Sequence, residues 1–334
     1  MNELDGTLIR VDDDGTATRR PLAELPALLA EPSGWLWLDL PEPETDAAEL
    51  LVETFGLHRQ AVQDVLARNH VPRLHVYGDV LFLVLHRPET GRNGHVHYLE
   101  LDQFISERFL ITTHGPRNPD VPLERMLTET SDAAERMLAG RFRPASPALL
   151  SYRIVSALTR MEEGFVNDTA RQVGELEKQV MARAGEARPE DFLDDLFHCR
   201  HALTTVHTMS TQSAEIYGRA IRLLRDRPRA TLRALRDLQD QYHRLSGISS
   251  SQLEFLGEVT EYYRARTDTK MTIAAERLAV IAAVTLPVTA ISSVVGMNVI
   301  VNGDTQWGVL ILLLVVMGGM SWWLLLWARR QGWW

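Results

Sequence analysis

Two apolar runs without a single charge, residues 278–303 and 305–328, are separated only by Asp304. Leu278 to Met297 makes about 30 Å of helix, the thickness of a hydrocarbon core. Trp307 to Ala328 makes about 33 Å, enough to cross with some tilt. The connection is short, so the two spans must be antiparallel neighbours. Lys270 and Arg277 precede the first span and Arg329 and Arg330 follow the second. The positive-inside rule then puts both termini in the cytoplasm and the loop outside. Trp307 and the Trp327, Trp333, Trp334 group fit the two interfacial belts. A long water-soluble body ending in such a hairpin points away from a cytosolic enzyme and toward action on or through a bilayer.

The body is acidic. The chain carries 35 Lys and Arg against 44 Asp and Glu, a formal charge of −9. Beyond residue 277 only Asp304, Arg329 and Arg330 are charged, so the body holds more than the whole deficit. Phosphate backbones need a basic surface, which argues against nucleic acid as a partner. The acidity suits cation binding and ordinary solubility alike. Cys199 is the only cysteine, which rules out an intrachain disulfide or a multi-thiolate zinc site. Met1 to Arg20 is polar and lacks the apolar core of a signal peptide, so insertion is expected from the C-terminal spans.

Residues 1–115 read as an α/β domain. Leu8–Val11, Gly34–Leu40, Val80–Leu85, Leu99–Phe104 and Arg108–Thr113 have strand character, and Leu50–Arg68 has helical spacing. Strand signals stop after the Pro-rich stretch 116–122, and 116–227 is expected to be helical. From Pro228 no proline recurs until Pro287. Sixty helical residues would make a rod of roughly 90 Å, too long for a compact globule. The expected organisation is therefore a stalk helix over 228–298 that becomes the first transmembrane helix. An outer loop at 299–306, a second transmembrane helix at 307–328 and a tail at 329–334 complete it.

The first span is polar for a lipid-facing helix, with Thr285, Thr289, Ser292 and Ser293. Glu261, Asp268, Ala275, Ala282 and Thr289 recur every seven residues, so they share one face of a continuous helix. Acids lie on that face before the span, and small or polar residues within it. One striped helix encloses nothing; several copies around an axis can enclose water. The second span, Leu/Val-rich from Leu310 to Met317, reads as the lipid-facing partner. Pro287 removes one helical hydrogen bond and leaves the Ala283 carbonyl without its usual donor. Gly296 is a candidate left-handed helix stop, which would let the Asn298 amide fold over the mouth of the span.

Gly296-Met297-Asn298 at the end of a penultimate membrane helix resembles the signature of the CorA-type divalent metal-ion transporters. It follows Leu286-Pro287-Val288-Thr289 at the family's spacing. The resemblance continues in Leu235-Arg236-Asp237-Leu238-Gln239-Asp240, Phe55-Gly56-Leu57-His58, Ala61-Val62-Gln63-Asp64, Val71-Pro72-Arg73, Tyr77-Gly78-Asp79 and Phe109–His114. It implies an inner-membrane homopentamer with a CorA-like cytoplasmic funnel, whose first membrane helices line a pore. It also implies Mg2+ as both transported and regulatory ion, with Co2+, Ni2+ or Zn2+ as alternatives. Five copies of Asn298 would ring the outer mouth and hydrogen-bond the waters of a hydrated ion. Thr289 would be a polar ring, Leu286 and Leu278 constrictions, Thr285 and Ala282 pore lining, and Glu261 an acid near the inner end. Asp237 matches the family's regulatory-metal acid between subunits.

The chain departs from the family at several points. Val295 and Val299 replace aromatic residues beside the tripeptide, the 299–305 loop lacks a Met-Pro-Glu pattern, and Thr272 stands where Asn is frequent. These features resemble the ZntB-like branch, associated with zinc uptake and with proton coupling. A membrane-anchored cation sensor without conduction is a third reading.

His198 and His201, three apart with His207 nearby, lack a third zinc ligand and read as helix-surface residues, as do His95 and His97, while Cys199 reads as a packing residue. There is no Walker-type phosphate loop and no nucleophile–base pattern, so neither ATP hydrolysis nor another enzymatic activity is expected.

Overall fold

The computed structural model describes residues 6–69, 71–91, 95–181, 189–296 and 307–330. Its contacts divide the chain into two units, residues 1–257 and 258–334.

The first unit is built on a seven-stranded sheet. Its strands are β1 (Thr7–Val11), β2 (Ala17–Arg20), β3 (Trp35–Leu40), β4 (Arg73–Tyr77), β5 (Val80–Thr90), β6 (Val96–Ile105) and β7 (Phe109–Thr113). Their order is β2-β1-β3-β7-β6-β5-β4, and every pairing is antiparallel except β3 with β7. Strand side chains alternate between faces, and here both faces are apolar. Trp35, Trp37, Leu81, Leu83, Leu85 and Leu110 enter one core. Leu36, Leu38, Leu40, Phe82, Val84 and Ile111 enter the other. A sheet buried on both sides reads as continuous apolar runs, which is why β3, β5, β6 and β7 are visible in sequence.

Short helices α1 (Leu25–Ala30), α2 (Thr45–Glu53) and α3 (Arg59–Leu66) cover one face through Leu25, Leu28, Leu51, Val62 and Val65. Leu50–Arg68, helical by periodicity, is thus interrupted: Gly56 takes φ +64° between α2 and α3, a conformation that L side chains disfavour. The opposite face is covered by α5 (Thr128–Leu138), α6 (Pro147–Met181), α7 (Pro189–Leu223) and the start of α8 (Arg229–Gly296), with the short α4 (Leu123–Met126) ahead of them. On α8 the buried positions Leu235, Leu238, Tyr242, Leu245, Ser249 and Leu256 follow a three-four spacing, the apolar stripe of a helix laid against a core.

Several residues behind the family resemblance touch one another. Phe55 meets Phe109 edge-on at 4.9 Å, His58 stacks on Tyr77 at 4.5 Å, and Arg73 pairs with Asp64 at 3.7 Å. His58 also accepts the Gln60 N–H through Nδ1, capping α3. These motifs are packing devices that lock α3 onto the sheet.

The second unit holds the rest of α8 and α9 (Trp307–Arg330). Both helices are long and apolar enough to cross a membrane. Past Val259 the only buried side chain described on α8 is Val280, and on α9 only Ala328. Leu278, Leu286, Leu312, Val315, Trp322 and Trp323 are all more than 60% exposed. Surface this apolar requires lipid or further copies of the chain against it.

Candidate metal-ion pathway

α8 carries every expected pathway residue that the structure describes, and Pro287 lies inside it. Leu278, Ala282, Thr285, Leu286 and Thr289 are exposed on that single helix. The Thr285 hydroxyl donates to the Ile281 carbonyl at 2.8 Å, and the Thr289 hydroxyl to the Thr285 carbonyl at 2.8 Å. Each hydroxyl proton is therefore spent on the helix's own backbone. What remains on each oxygen is acceptor capacity, the polarity that suits a cation or its waters. Ser292 behaves differently: its hydroxyl reaches the Met317 sulfur of α9 at 3.9 Å.

Gly296 is the last residue of α8 and keeps helical geometry instead of the left-handed stop expected of it. A β-carbon added there would meet nothing within 4 Å. Met297 and Asn298, like Asp304 and the 299–306 loop, lie outside the described residues.

Glu261 is exposed and pairs with Arg264 at 3.4 Å, one turn along the same helix. Such exposed pairs contribute little, about 0.3–0.5 kcal/mol, so the carboxylate is readily released.

Asp237 sits on the outer face of α8 within the first unit. Its Oδ2 accepts the Tyr152 hydroxyl of α6 at 2.6 Å and the Gln241 amide at 2.7 Å. Gln241 in turn receives the Thr159 hydroxyl at 2.6 Å. The hydrogen bond to Asp237 raises the Tyr152 phenol above its ordinary range, because the carboxylate favours the protonated donor. Sequence reasoning found Asp237 and missed Tyr152, since nothing in a lone tyrosine 85 residues away announces its partner. Tyr152 and Leu238 also line a largely apolar cavity of about 360 Å³ where α6 and α8 begin.

Among the described residues no group of three or more His, Cys, Asp or Glu, the α7 histidines included, is placed to hold a metal ion. His201 stacks flat on Phe197, and buried Cys199 donates to Gln172 at 3.7 Å. Desolvation pushes the Cys199 thiol up to about 11, which keeps it protonated.

The family model for the CorA-like Mg2+ transporter protein matches residues 32–330. The chain is 23% identical to YfjQ of Bacillus subtilis (strain 168), a protein named for metal-ion transport, over 309 residues and 90% of each chain. Full-length CmaX has a similar fold, with a TM-score of 0.75, 19% identity and coverage of 98% of this chain and 99% of that one. The complete CorA magnesium transporter of Methanocaldococcus jannaschii superposes over 100% of both chains with a TM-score of 0.80 at 15% identity. The cytoplasmic domain of ZntB from Vibrio parahaemolyticus RIMD 2210633 covers 79% of this chain and 98% of its own, with a TM-score of 0.59 at 15% identity.

Proposed function

The chain belongs to the CorA-like Mg2+ transporter family, and we propose that, within this family of divalent metal-ion transporters, it is a passive Mg2+ uptake pore that also admits Co2+ and Ni2+. The observation that carries this reading is the face of α8 bearing Ala282, Thr285 and Thr289, exposed and rich in acceptors on a helix otherwise fit for lipid. Five copies around an axis would turn that face inward, with Leu286 and Leu278 as apolar constrictions and the Gly296-Met297-Asn298 tripeptides at the mouth. Glu261 would concentrate cations at the inner end. An inside-negative potential contributes about 4.6 kcal/mol per 100 mV for a divalent ion, so no chemical fuel is needed.

In this arrangement residues 1–115, the helical region 116–227 and the stalk of α8 lie in the cytoplasm below the inner membrane. Residues 299–306 form the outer loop, and 329–334 return to the cytoplasmic side. Asp237 would bind regulatory Mg2+ between neighbouring subunits. The bound ion offsets carboxylate repulsion and holds the closed state; its loss would loosen the assembly and hydrate the pore.

A second reading, a Zn2+ importer with or without proton coupling, is favoured by Val295 and Val299 beside the tripeptide and by the absent Met-Pro-Glu pattern. Ion flux into liposomes containing the purified protein separates the two. Mg2+ entry driven by potential alone is expected. Zn2+ entry that requires a pH gradient, with no Mg2+ entry, would replace the first reading by the second.

A further inference from the structure

We propose that Glu162 is a proton-binding site that makes the packing of α6 against α7 and α8 sensitive to pH. Glu162 lies on α6 and is 1% exposed. Its Oε2 accepts the Ser210 hydroxyl of α7 at 3.4 Å, and its Oε1 is buried with no hydrogen-bond partner among the described residues. The charged groups acting on it are Arg87 from β5 and Glu129 from α5. Arg87 is already committed: it pairs with Glu129 through Nε and with Glu89 at 2.6 Å, while Glu89 also meets Arg125 at 3.1 Å. Two guanidinium groups thus face two carboxylates, and Glu162 is a third acid that forms no ion pair among the described residues, with Arg87 acting on it only at longer range. Tyr217 of α7 and Tyr242 of α8 close the seam, fully buried and stacked at 5.7 Å. Burial raises both phenols, so they stay neutral and supply no positive charge.

A buried carboxylate without a counter-ion is far costlier than a buried carboxylic acid. Desolvation accordingly holds Glu162 well above the ordinary carboxyl range. The sign of the linkage follows. Below the ordinary carboxyl value, folded and unfolded chains both hold the proton and nothing is lost. Above it the unfolded chain releases the proton while the folded chain keeps it, so stability falls as pH rises until the folded value is passed. Loss of the proton places a naked charge between three helices. One of them, α8, is the helix that carries the first apolar run, so the seam ties the proton to the element that lines the proposed path.

The test uses full-length protein in nanodiscs. Amide exchange, corrected for intrinsic rate, is followed in α6, α7 and the buried stretch of α8 from the ordinary carboxyl value of about 4.3 up to alkaline pH, the direction in which a raised carboxyl gives up its proton. Exchange in these helices should accelerate toward alkaline pH by up to about tenfold per unit, the limit set by one linked proton. Glu162→Gln, a neutral isostere, should flatten that dependence and slow exchange at alkaline pH while leaving exchange at acidic pH unchanged. The same variant should lose an infrared carbonyl band of a protonated carboxylic acid. Unmodified protein whose three helices exchange at a pH-independent corrected rate would overturn the proposal without any variant. So would a Glu162→Gln protein that keeps the full pH dependence.

Discussion

At the proposed regulatory site, one oxygen of Asp237 is already bonded to Tyr152 and Gln241. Binding there is then a competition between a metal ion and two donors from the same chain. Hydrogen bonds to charged groups contribute about 1.5–3 kcal/mol net. Tyr152→Phe is therefore expected to tighten Mg2+ binding by roughly tenfold, and Asp237→Ala to abolish it. Mg2+-dependent protection of the α8 stalk from protease reads both. Unchanged protection in Asp237→Ala removes the metal site, whereas a normal midpoint in Tyr152→Phe removes only the competition. At Cys199 the thiol value of about 11 predicts inertness. Alkylation of folded protein near neutral pH, followed by mass, should leave Cys199 unmodified until the chain is unfolded.

Among the elements, buried strands were legible and edge strands were not. β2 has no buried residue, and of β4 only Leu74 is buried, so neither carries the apolar run that exposed β5 and β6 to sequence reading. α1 is six residues long, too short for periodicity to register. The break between α2 and α3 rests on one backbone angle at Gly56, which a pattern of apolar residues does not encode. Gly34 makes the contrasting case. It also has positive φ, but an added β-carbon would run into the Arg10 guanidinium and meet the Val11 carbonyl at 2.5 Å, while Gly56 has nothing within 4 Å. Gly56→Ala should cost only the left-handed backbone penalty, about 1–2 kcal/mol. Gly34→Ala should cost clearly more, with the larger loss of thermal midpoint in calorimetry. Equal losses would mean that the crowding at Gly34 is relieved freely.

For the whole molecule, the order along α8 of the residues expected to line a path was legible, because heptad spacing carries over into one continuous helix. The partnership of Tyr152 with Asp237 and the acid left over at Glu162 were not, since both depend on which helices become neighbours. Exposed apolar spans require lipid or further copies of the chain, and a pentamer is the expectation, checked by native mass spectrometry from nanodiscs. Within it, Asn298→Ala should lower Mg2+ flux by about tenfold or more, the order of one lost selectivity ring. A variant with full flux and unaltered ion preference would move selection away from the tripeptide. A sensor without conduction would show no flux in any variant and still respond to Mg2+ through its stalk.

The strand order holds a further consequence. β2-β1-β3 comes from residues 7–40 and β7-β6-β5-β4 from residues 73–113, and each set is a local antiparallel arrangement. Among the described strands the parallel β3–β7 pairing is the one that links the two sets, and it is bridged by side chains as well as backbone. The Trp37 indole donates to Thr112 at 3.0 Å, Thr112 donates to Asp39, and His114 lies 3.2 Å from the same carboxylate. Each half-sheet pairs strands that are near in sequence, whereas the seam joins positions 73 residues apart, the class of contact that is slow to form. Thr112→Val should slow the final refolding phase of the body, because it severs the side-chain bridge while sparing both half-sheets.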